Sequence, residues 1–168
     1  MTIEIREVRP EEYEEAGRVT ADAYREYARD DDWDAYLVHI ADVADRAERT
    51  TVLAAVEDGR ILGTVTLELD RRVEEGEDHS EAERLPAREA HIRMLGVDPS
   101  TQGRGIGRAL MDESIRIARE HGKTLMTLNT TERMHVAQRM YEGMGFVRQP
   151  DWQVSEDFSL LSYALDLG

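Results

Sequence analysis

The sequence predicts an α/β fold in which helices pack on the faces of a mixed sheet. The chain has 168 residues, of which 40% are hydrophobic, and this suits one domain with a sizeable core. Two apolar runs separated by Asp58-Gly59 favour an antiparallel hairpin, because this dipeptide is a strong signal for a two-residue turn. Strand and helix patterns alternate in the second half, which indicates a mixed sheet. We therefore expect residues 1–168 to form a single domain.

The N-terminal half is predicted to hold one strand, a helical region and the hairpin. An alternating segment near Ile3 to Val8 is typical of a strand. Pro10-Glu11-Glu12 then favours a helix start, because proline and acidic residues both suit a first turn, and helix should continue to about Arg49. The charged run from Asp70 to Pro86 is interpreted as an excursion between two strands.

The C-terminal half is predicted to alternate between strands and helices. Glu89 to Val97 reads as a strand, and Gly103 to His121 carries apolar residues at helical spacing with Gly122 as the stop. The remaining elements are predicted as a strand at 124–129, a helix at about 131–143, and strands near 146–150 and 158–166.

Charge and composition restrict the partners that we expect. The chain has 36 acidic and 21 basic residues, a formal net charge of -15, which argues against nucleic acid because phosphate binding needs clustered positive surface. A cationic acceptor would be steered better by such a surface. With no cysteine, disulfides and thiolate metal sites are excluded, and no metal site is predicted. The first residues do not resemble a signal peptide and no apolar run approaches a membrane span, so a soluble cytoplasmic protein without a membrane partner is expected.

One short segment, TQGRGIGRAL at 101–110, is glycine-rich and basic within this acidic chain. It lies between a predicted strand and a predicted helix, where backbone N–H groups and the positive end of the helix favour an anion. The glycines would let a phosphate approach the backbone; alternatively, they only make a tight turn.

Two other phosphate-binding fingerprints are incomplete in this sequence. The dinucleotide pattern G-x-G-x-x-G would need glycine where Arg108 or Leu110 stands. The Walker pattern would need glycine five residues before Gly122, where Ile117 stands.

The remaining pattern is Gln102-x-x-Gly105-x-Gly107 after a V-D-P strand end, followed by Asn129 at the end of the next strand and by YEGMGF at 141–146. Together these motifs resemble the acetyl-CoA signature of the GNAT N-acetyltransferase superfamily, over about Glu89 to Val147. The resemblance implies a mainly antiparallel mixed sheet of about seven strands flanked by about four helices.

The resemblance also implies an activity. A GNAT enzyme transfers acetyl from acetyl-CoA to a primary amine by direct attack in a ternary complex, and here the acceptor would be a small molecule or a peptide. A non-catalytic acyl-CoA-binding module with the same fold is the alternative. Exposed sheet edges make a homodimer an expectation.

The residues expected to bind acetyl-CoA lie at the end of one strand, in the glycine loop and on the two elements that follow. The two arginines of the loop would offset the negative charge of the chain locally. The set is Leu95, Val97, Gln102, Gly103, Arg104, Gly105, Ile106, Gly107, Arg108, Asn129 and Tyr141.

Two catalytic tasks are assigned by the resemblance. The backbone N–H of Leu95 would stabilise the oxyanion, and Gly96 would either permit a bulge that frees this group or serve packing. Tyr141 would be the acid that protonates the thiolate, and a core tyrosine is the competing interpretation.

The general base is predicted on the same strand as Leu95. His91 falls where several family members carry a glutamate base, and histidine as a residue type titrates near neutral pH. By strand alternation, Glu89 and His91 should point to the same side of the sheet as Leu95. Glu89 or an acidic residue of the charged excursion between Asp70 and Pro86 could also serve as the general base. Some relatives place a glutamate near position 129, but Asn129 cannot act as a base.

Aromatic residues of the first helical region are expected to border the acceptor pocket, mostly as packing. They are Tyr24, Tyr27, Trp33 and Tyr36, and the neighbouring run Asp30, Asp31 and Asp32 would either attract a cation or form a solvated turn.

Overall fold

The protein is described by a computed structural model that covers residues 2–27, 32–70, 85–156 and 158–168. In these ranges the chain forms one seven-stranded sheet and five α-helices. The strands are β1 (Glu4–Glu7), β2 (Thr51–Glu57), β3 (Arg60–Glu68), β4 (Glu89–Val97), β5 (Leu125–Thr130), β6 (Val147–Ser155) and β7 (Phe158–Asp166). The helices are α1 (Tyr13–Arg25), α2 (Asp32–Ala41), α3 (Val43–Ala47), α4 (Ile106–Glu120) and α5 (His135–Gly143).

The sheet is mixed and mainly antiparallel, as predicted. Its strand order is β1-β2-β3-β4-β5-β7-β6, and every neighbouring pair is antiparallel except β4 and β5. The parallel pair has α4 as its crossover, which is the connection that parallel strands require. The hairpin of β2 and β3 turns at Asp58 and Gly59, whose φ angles of 51° and 75° are those of a two-residue turn with both central residues left-handed.

The helical elements differ from the predictions mainly at their boundaries. The N-terminal region is divided into α1, α2 and α3, and α1 follows a short 3₁₀ turn at Pro10–Glu12. α4 ends before Gly122, whose φ of 75° suits a glycine stop. α5 begins at His135, later than the predicted 131. None of the described helices is both long and apolar enough to cross a membrane.

The two faces of the sheet are covered by different helices. On one face, residues of β4 and β5 pack with α4 in the largest apolar cluster; its members include Ala90, Ile92, Ile106, Leu110, Met111, Met126 and Leu128. On the other face, α1 and α3 pack on β2 and β3, and α2 packs on β4; these members include Ala16, Val19, Leu37, Ile40, Val43, Val52, Ala54 and Met94. We call these the α4 face and the α1 face.

Candidate active site

The sheet opens between β4 and β5. Their pairing runs from Glu89–Leu125 to Ile92–Leu128 and stops there, although both strands continue. Two cavities, of about 300 Å³ and about 120 Å³, are lined by the unpaired strand ends and share Tyr24 and Met134. We call them the large cavity and the small cavity.

The glycine segment forms one wall of the large cavity. Gly103 and Gly105 have φ angles of 86° and 77°, and Gly105 is the N-cap of α4 without a side-chain cap. The first bond of the helical ladder runs from the Ala109 N–H to the Gly105 carbonyl at 3.0 Å, so the amides from Gly105 to Arg108 precede it. Amides in this position, at the positive end of a 15-residue helix, suit an anionic ligand.

The two arginines of the segment have different surroundings. Arg108 lines the large cavity and lies 3.5 Å from Asp112. Arg104 does not line it; its two terminal nitrogens bind the Glu57 carboxylate at 2.5 and 3.3 Å, and this pairing lowers the pKa of Glu57. A phosphate contact for Arg104 therefore stays a prediction and would compete with Glu57. The other predicted loop residues line the large cavity: Gln102, Gly103, Gly105, Ile106 and Gly107.

β4 contains a bulge next to the opening. Thr64 pairs with Gly96 and Thr66 with Arg93, so Met94 and Leu95 together oppose a single residue of β3. Met94 has a φ of 51°, a conformation that is uncommon for residues other than glycine. Gly96 serves packing instead, because a Cβ there would lie 3.1 Å from the Ala23 Cβ on α1.

The bulge reverses the alternation of side chains along β4. Ala90 and Ile92 lie on the α4 face, and Leu95 and Val97 pack against the same cluster, although they are an odd number of residues away. The prediction that Glu89 and His91 share a side of the sheet with Leu95 is therefore wrong. One extra residue turns Leu95 and Val97 into the large cavity and leaves His91 at the small one.

Glu89 and His91 are joined through Thr127 of β5. The Thr127 hydroxyl donates to Glu89 Oε1 at 2.5 Å and lies 2.7 Å from His91 Nδ1. Because a carboxylate can only accept, the hydroxyl oxygen in turn accepts from the Nδ1–H of His91. This tautomer leaves the lone pair on Nε2, and His91 lines the small cavity.

Tyr141 is enclosed in the core. It is 5% exposed, packs against the rings of Phe146 and Tyr163 with centroids 5.7 and 6.1 Å away, and lines neither cavity. Burial raises the pKa of Tyr141 well above its ordinary value. Such a phenol releases its proton less readily to a thiolate, whose free pKa is about 8.5. The geometry thus favours the core interpretation, and an acid role for Tyr141 stays a prediction.

The predicted acceptor residues are distributed over both cavities. Tyr24 lines both, Tyr27 the large one and Tyr36 the small one, whereas Asp30, Asp31 and the side chains of Asp32 and Trp33 lie outside the described residues, as do residues 71–84 of the excursion. Asn129, expected to face the cofactor, lines the small cavity, and its Oδ1 accepts from Ser162 at 2.8 Å.

A family model described as the acetyltransferase (GNAT) family matches residues 4–146. This range includes β4, α4, β5 and α5, whose residues line the two cavities. The chain belongs to the GNAT acetyltransferase family.

Sequence relatives of this GNAT chain match over parts of their length. A mycothiol acetyltransferase from Beutenbergia cavernae is 42% identical over 55 residues, which cover 33% of the chain and 18% of the relative. Another, from Geodermatophilus obscurus, is 26% identical over 131 residues, covering 78% and 40%. A glucosamine 6-phosphate N-acetyltransferase from Trypanosoma brucei brucei is 28% identical over 113 residues, covering 65% and 69%. The chain thus spans less than half the length of the mycothiol acetyltransferases it matches.

Solved structures share the GNAT fold over almost the whole chain. An N-acetyltransferase from Thermoplasma acidophilum in complex with coenzyme A has a TM-score of 0.76 at 18% identity, with 99% of each chain covered. An acetyltransferase from Salmonella typhimurium with acetyl-CoA has a TM-score of 0.68 at 22% identity, covering 100% of this chain and 95% of that one.

Sequence reasoning missed two residues of this GNAT site. Thr127 has no local signal, because its contact with His91 depends on the parallel register of β4 and β5. Arg93 lines the small cavity and lies outside the motifs of the glycine loop. Its spacing from His91 on the same strand was the available signal.

Proposed function

We propose that this GNAT chain is an acetyl-CoA-dependent N-acetyltransferase that acts on a primary amine by direct attack in a ternary complex. The observation that carries the proposal is the pair of adjoining cavities at the β4–β5 opening, with uncapped helix amides at one and the His91 relay at the other. The family match and the neighbours with acetyl-CoA or coenzyme A support the same reaction class.

The large cavity fits the chemistry of the co-substrate. The amides at the start of α4 and the Arg108 guanidinium would hold the diphosphate, since both are donors suited to phosphate oxygens. The open edge of β4 at Leu95 and Val97 would pair with the amide groups of the pantetheine arm. Acetyl-CoA, when bound, supplies the acetyl group as a thioester.

The residues of the opening then have separate tasks. His91 Nε2 accepts a proton from the acceptor ammonium, directly or through water, and Thr127 and Glu89 orient and stabilise the imidazolium that results. The Leu95 N–H, taken out of the regular ladder by the bulge, would donate to the carbonyl oxygen as that oxygen gains negative charge. Tyr141 is retained as the candidate donor to the leaving thiolate.

A non-catalytic acyl-CoA-binding module is the second candidate. The enclosed position of Tyr141 favours it, because this residue lines neither cavity and its hydroxyl forms no hydrogen bond with a described residue. Such a module would bind acyl-CoA at the glycine loop without catalysing acetyl transfer.

Release of free CoA in the presence of a panel of primary amines separates the two candidates. The chain has no cysteine, so a thiol-reactive dye detects only the CoA product. We expect turnover in the wild type and a fall of about 10²–10⁴-fold in kcat/KM for His91→Ala, the range that a general base contributes. His121→Ala is the matched control, because His121 is exposed at the end of α4 and, among the described residues, its ring binds the Ile117 carbonyl alone.

Tyr141→Phe completes the test. A fall in kcat without a change in acetyl-CoA affinity would support the acid role, and unchanged turnover would remove it. Acetyl-CoA binding by calorimetry together with no CoA release from any amine would favour the module, and absence of both would refute the proposed function.

A further inference from the structure

We propose that the acceptor is a small primary amine that also carries an anionic group, a carboxylate or a phosphate, and that Arg93 binds this group in the small cavity. The inference rests on the proposed function and names its substrate class.

Arg93 lies on the same face of β4 as His91 and lines the same cavity. The two residues are separated by one position on the strand, so their side chains are neighbours on one face. An anion bound at Arg93 would therefore place the rest of a short molecule beside the proposed base.

Arg93 contacts a buried carboxylate on one side, and its side chain stays partly exposed. Its Nε lies 3.2 Å from Glu68 Oε1, but neither atom has hydrogen-bond geometry in this contact. Glu68 is fully buried, whereas the Arg93 side chain is 22% exposed. Glu68 thus fixes the position of the guanidinium, whose terminal N–H groups suit a carboxylate or phosphate in bidentate contact.

The wall of the small cavity has no acidic side chain among the described residues that line it. Arg93 and His91 are its basic members, and the rest are phenols, amides, hydroxyls and apolar groups. In a chain with a net charge of -15, the absence of carboxylates from the described part of this wall departs from the overall composition. Long-range steering of a cation acts over the surface, but contacts in the cavity decide what binds there.

The size of the cavity limits the acceptor. The small cavity, at about 120 Å³, has less than half the volume of the large one, at about 300 Å³. Tyr36, Met94, Trp152 and Leu160 give it aromatic and apolar walls. The cavity therefore suits an amino acid or an aminoalkyl phosphate better than a long polyamine.

Pairs of amines that differ only in the anionic group test the inference. The pairs are α-amino acids against their carboxamides and phosphoethanolamine against ethanolamine, with putrescine as a dication. We expect kcat/KM to favour the anionic member of at least one pair by about 10- to 100-fold, the range expected for a hydrogen-bonded charge. The two kinds of pair distinguish a carboxylate from a phosphate.

Two variants connect the preference to Arg93. Arg93→Lys keeps the positive charge beside Glu68 but loses the planar guanidinium that makes bidentate contacts. The ratio of kcat/KM for the anionic amine to kcat/KM for the neutral amine of the preferred pair should therefore fall to a few-fold. The double variant Glu68→Gln/Arg93→Gln removes both charges of this contact, and its ratio of kcat/KM for the anionic amine to kcat/KM for the neutral amine should approach one. Arg18→Gln, an exposed change on α1, is the control.

A loss shared equally by charged and neutral amines would assign Arg93 a merely structural role and overturn the inference. If the wild type turns over no anionic amine better than its neutral counterpart in either pair, or turns over putrescine as well as the best anionic amine, the inference is overturned while the proposed function stays intact. Calorimetry with the same amines in the CoA-saturated protein gives a second readout, in which the anionic member should bind about 10-fold tighter or more. No CoA release from any amine would refute the proposed function itself, and this inference with it.

Discussion

Thr127→Val tests the relay between Glu89 and His91 with the smallest available change. Valine has nearly the shape of threonine and suits a strand, but it removes the hydroxyl that lies 2.5 Å from Glu89 Oε1 and 2.7 Å from His91 Nδ1. A hydrogen bond to a charged partner contributes about 1.5–3 kcal/mol. If this energy orients His91 and stabilises its charged form in the transition state, its loss lowers kcat/KM by about 10- to 150-fold, at 1.36 kcal/mol for each tenfold.

The measurement is CoA release at saturating acetyl-CoA with varied amine, combined with chemical denaturation. Thr64→Val is the matched control, because Thr64 is a buried strand threonine whose hydroxyl contacts the Thr20 hydroxyl and lines neither cavity. Both variants should lose about 1–3 kcal/mol of unfolding free energy. Only Thr127→Val should lose activity beyond that of the control.

Equal kcat/KM in Thr127→Val and the wild type would refute the relay. The relay would also be refuted if kcat/KM fell in Thr127→Val by as much as, or more than, it falls in His91→Ala. A loss in both threonine variants of similar size would instead show that activity follows stability.

Three further experiments, with four substitutions, test other parts of the structure. Gly105→Ala and Gly122→Ala put the same left-handed strain, about 1–2 kcal/mol, at opposite ends of α4, and calorimetry should show weaker acetyl-CoA binding only for Gly105→Ala. Gly96→Ala should cost about 1–3 kcal/mol in denaturant, because its methyl group would lie 3.1 Å from a methyl carbon of α1; an unchanged midpoint would contradict the packing role. Arg6 lowers the pKa of Glu12 to about 2, so this pair stabilises the fold above the ordinary carboxyl pKa and loses its contribution as the pH falls toward 2. Glu12→Gln should lower the free energy of unfolding by about 1–2 kcal/mol at neutral pH, after solvent screening. Below about pH 4 the free energies of unfolding of the variant and the wild type should become more alike. A difference that stays constant with pH would refute the role of the pair.

Local signals were sufficient for most elements of the fold. The turn at Asp58-Gly59, the stop at Gly122 and the glycine segment before α4 each depend on backbone conformations that glycine supplies, and the structure has them there. The predicted start of α5 at about 131 is too early, because the helix begins at His135 after Met134, an N-cap without a side-chain hydrogen bond, and such boundaries are weakly encoded.

The site was predictable only where it depends on local backbone. The loop residues of the large cavity were predicted from the resemblance of their motif to the GNAT signature, whereas Thr127 required the parallel register and the face of His91 required the bulge. Met94 gives no sequence signal for a left-handed residue, and of the two alternatives predicted for Gly96 the structure supports packing. Tertiary packing of α1 against Gly96 explains that glycine.

The bulge at Met94 lets one strand contribute to both cavities. In a regular strand, His91, Arg93 and Leu95 would all lie on one face, and the large cavity would receive Met94 and Gly96. The extra residue keeps His91 and Arg93 at the small cavity and turns Leu95 and Val97 toward α4. Since β5 leaves the ladder after Leu128, the two cavities meet at the point where this change of face occurs. The proposed base and anion-binding residue therefore reach the reaction from one side of the sheet, and the groups proposed to hold the thioester reach it from the other.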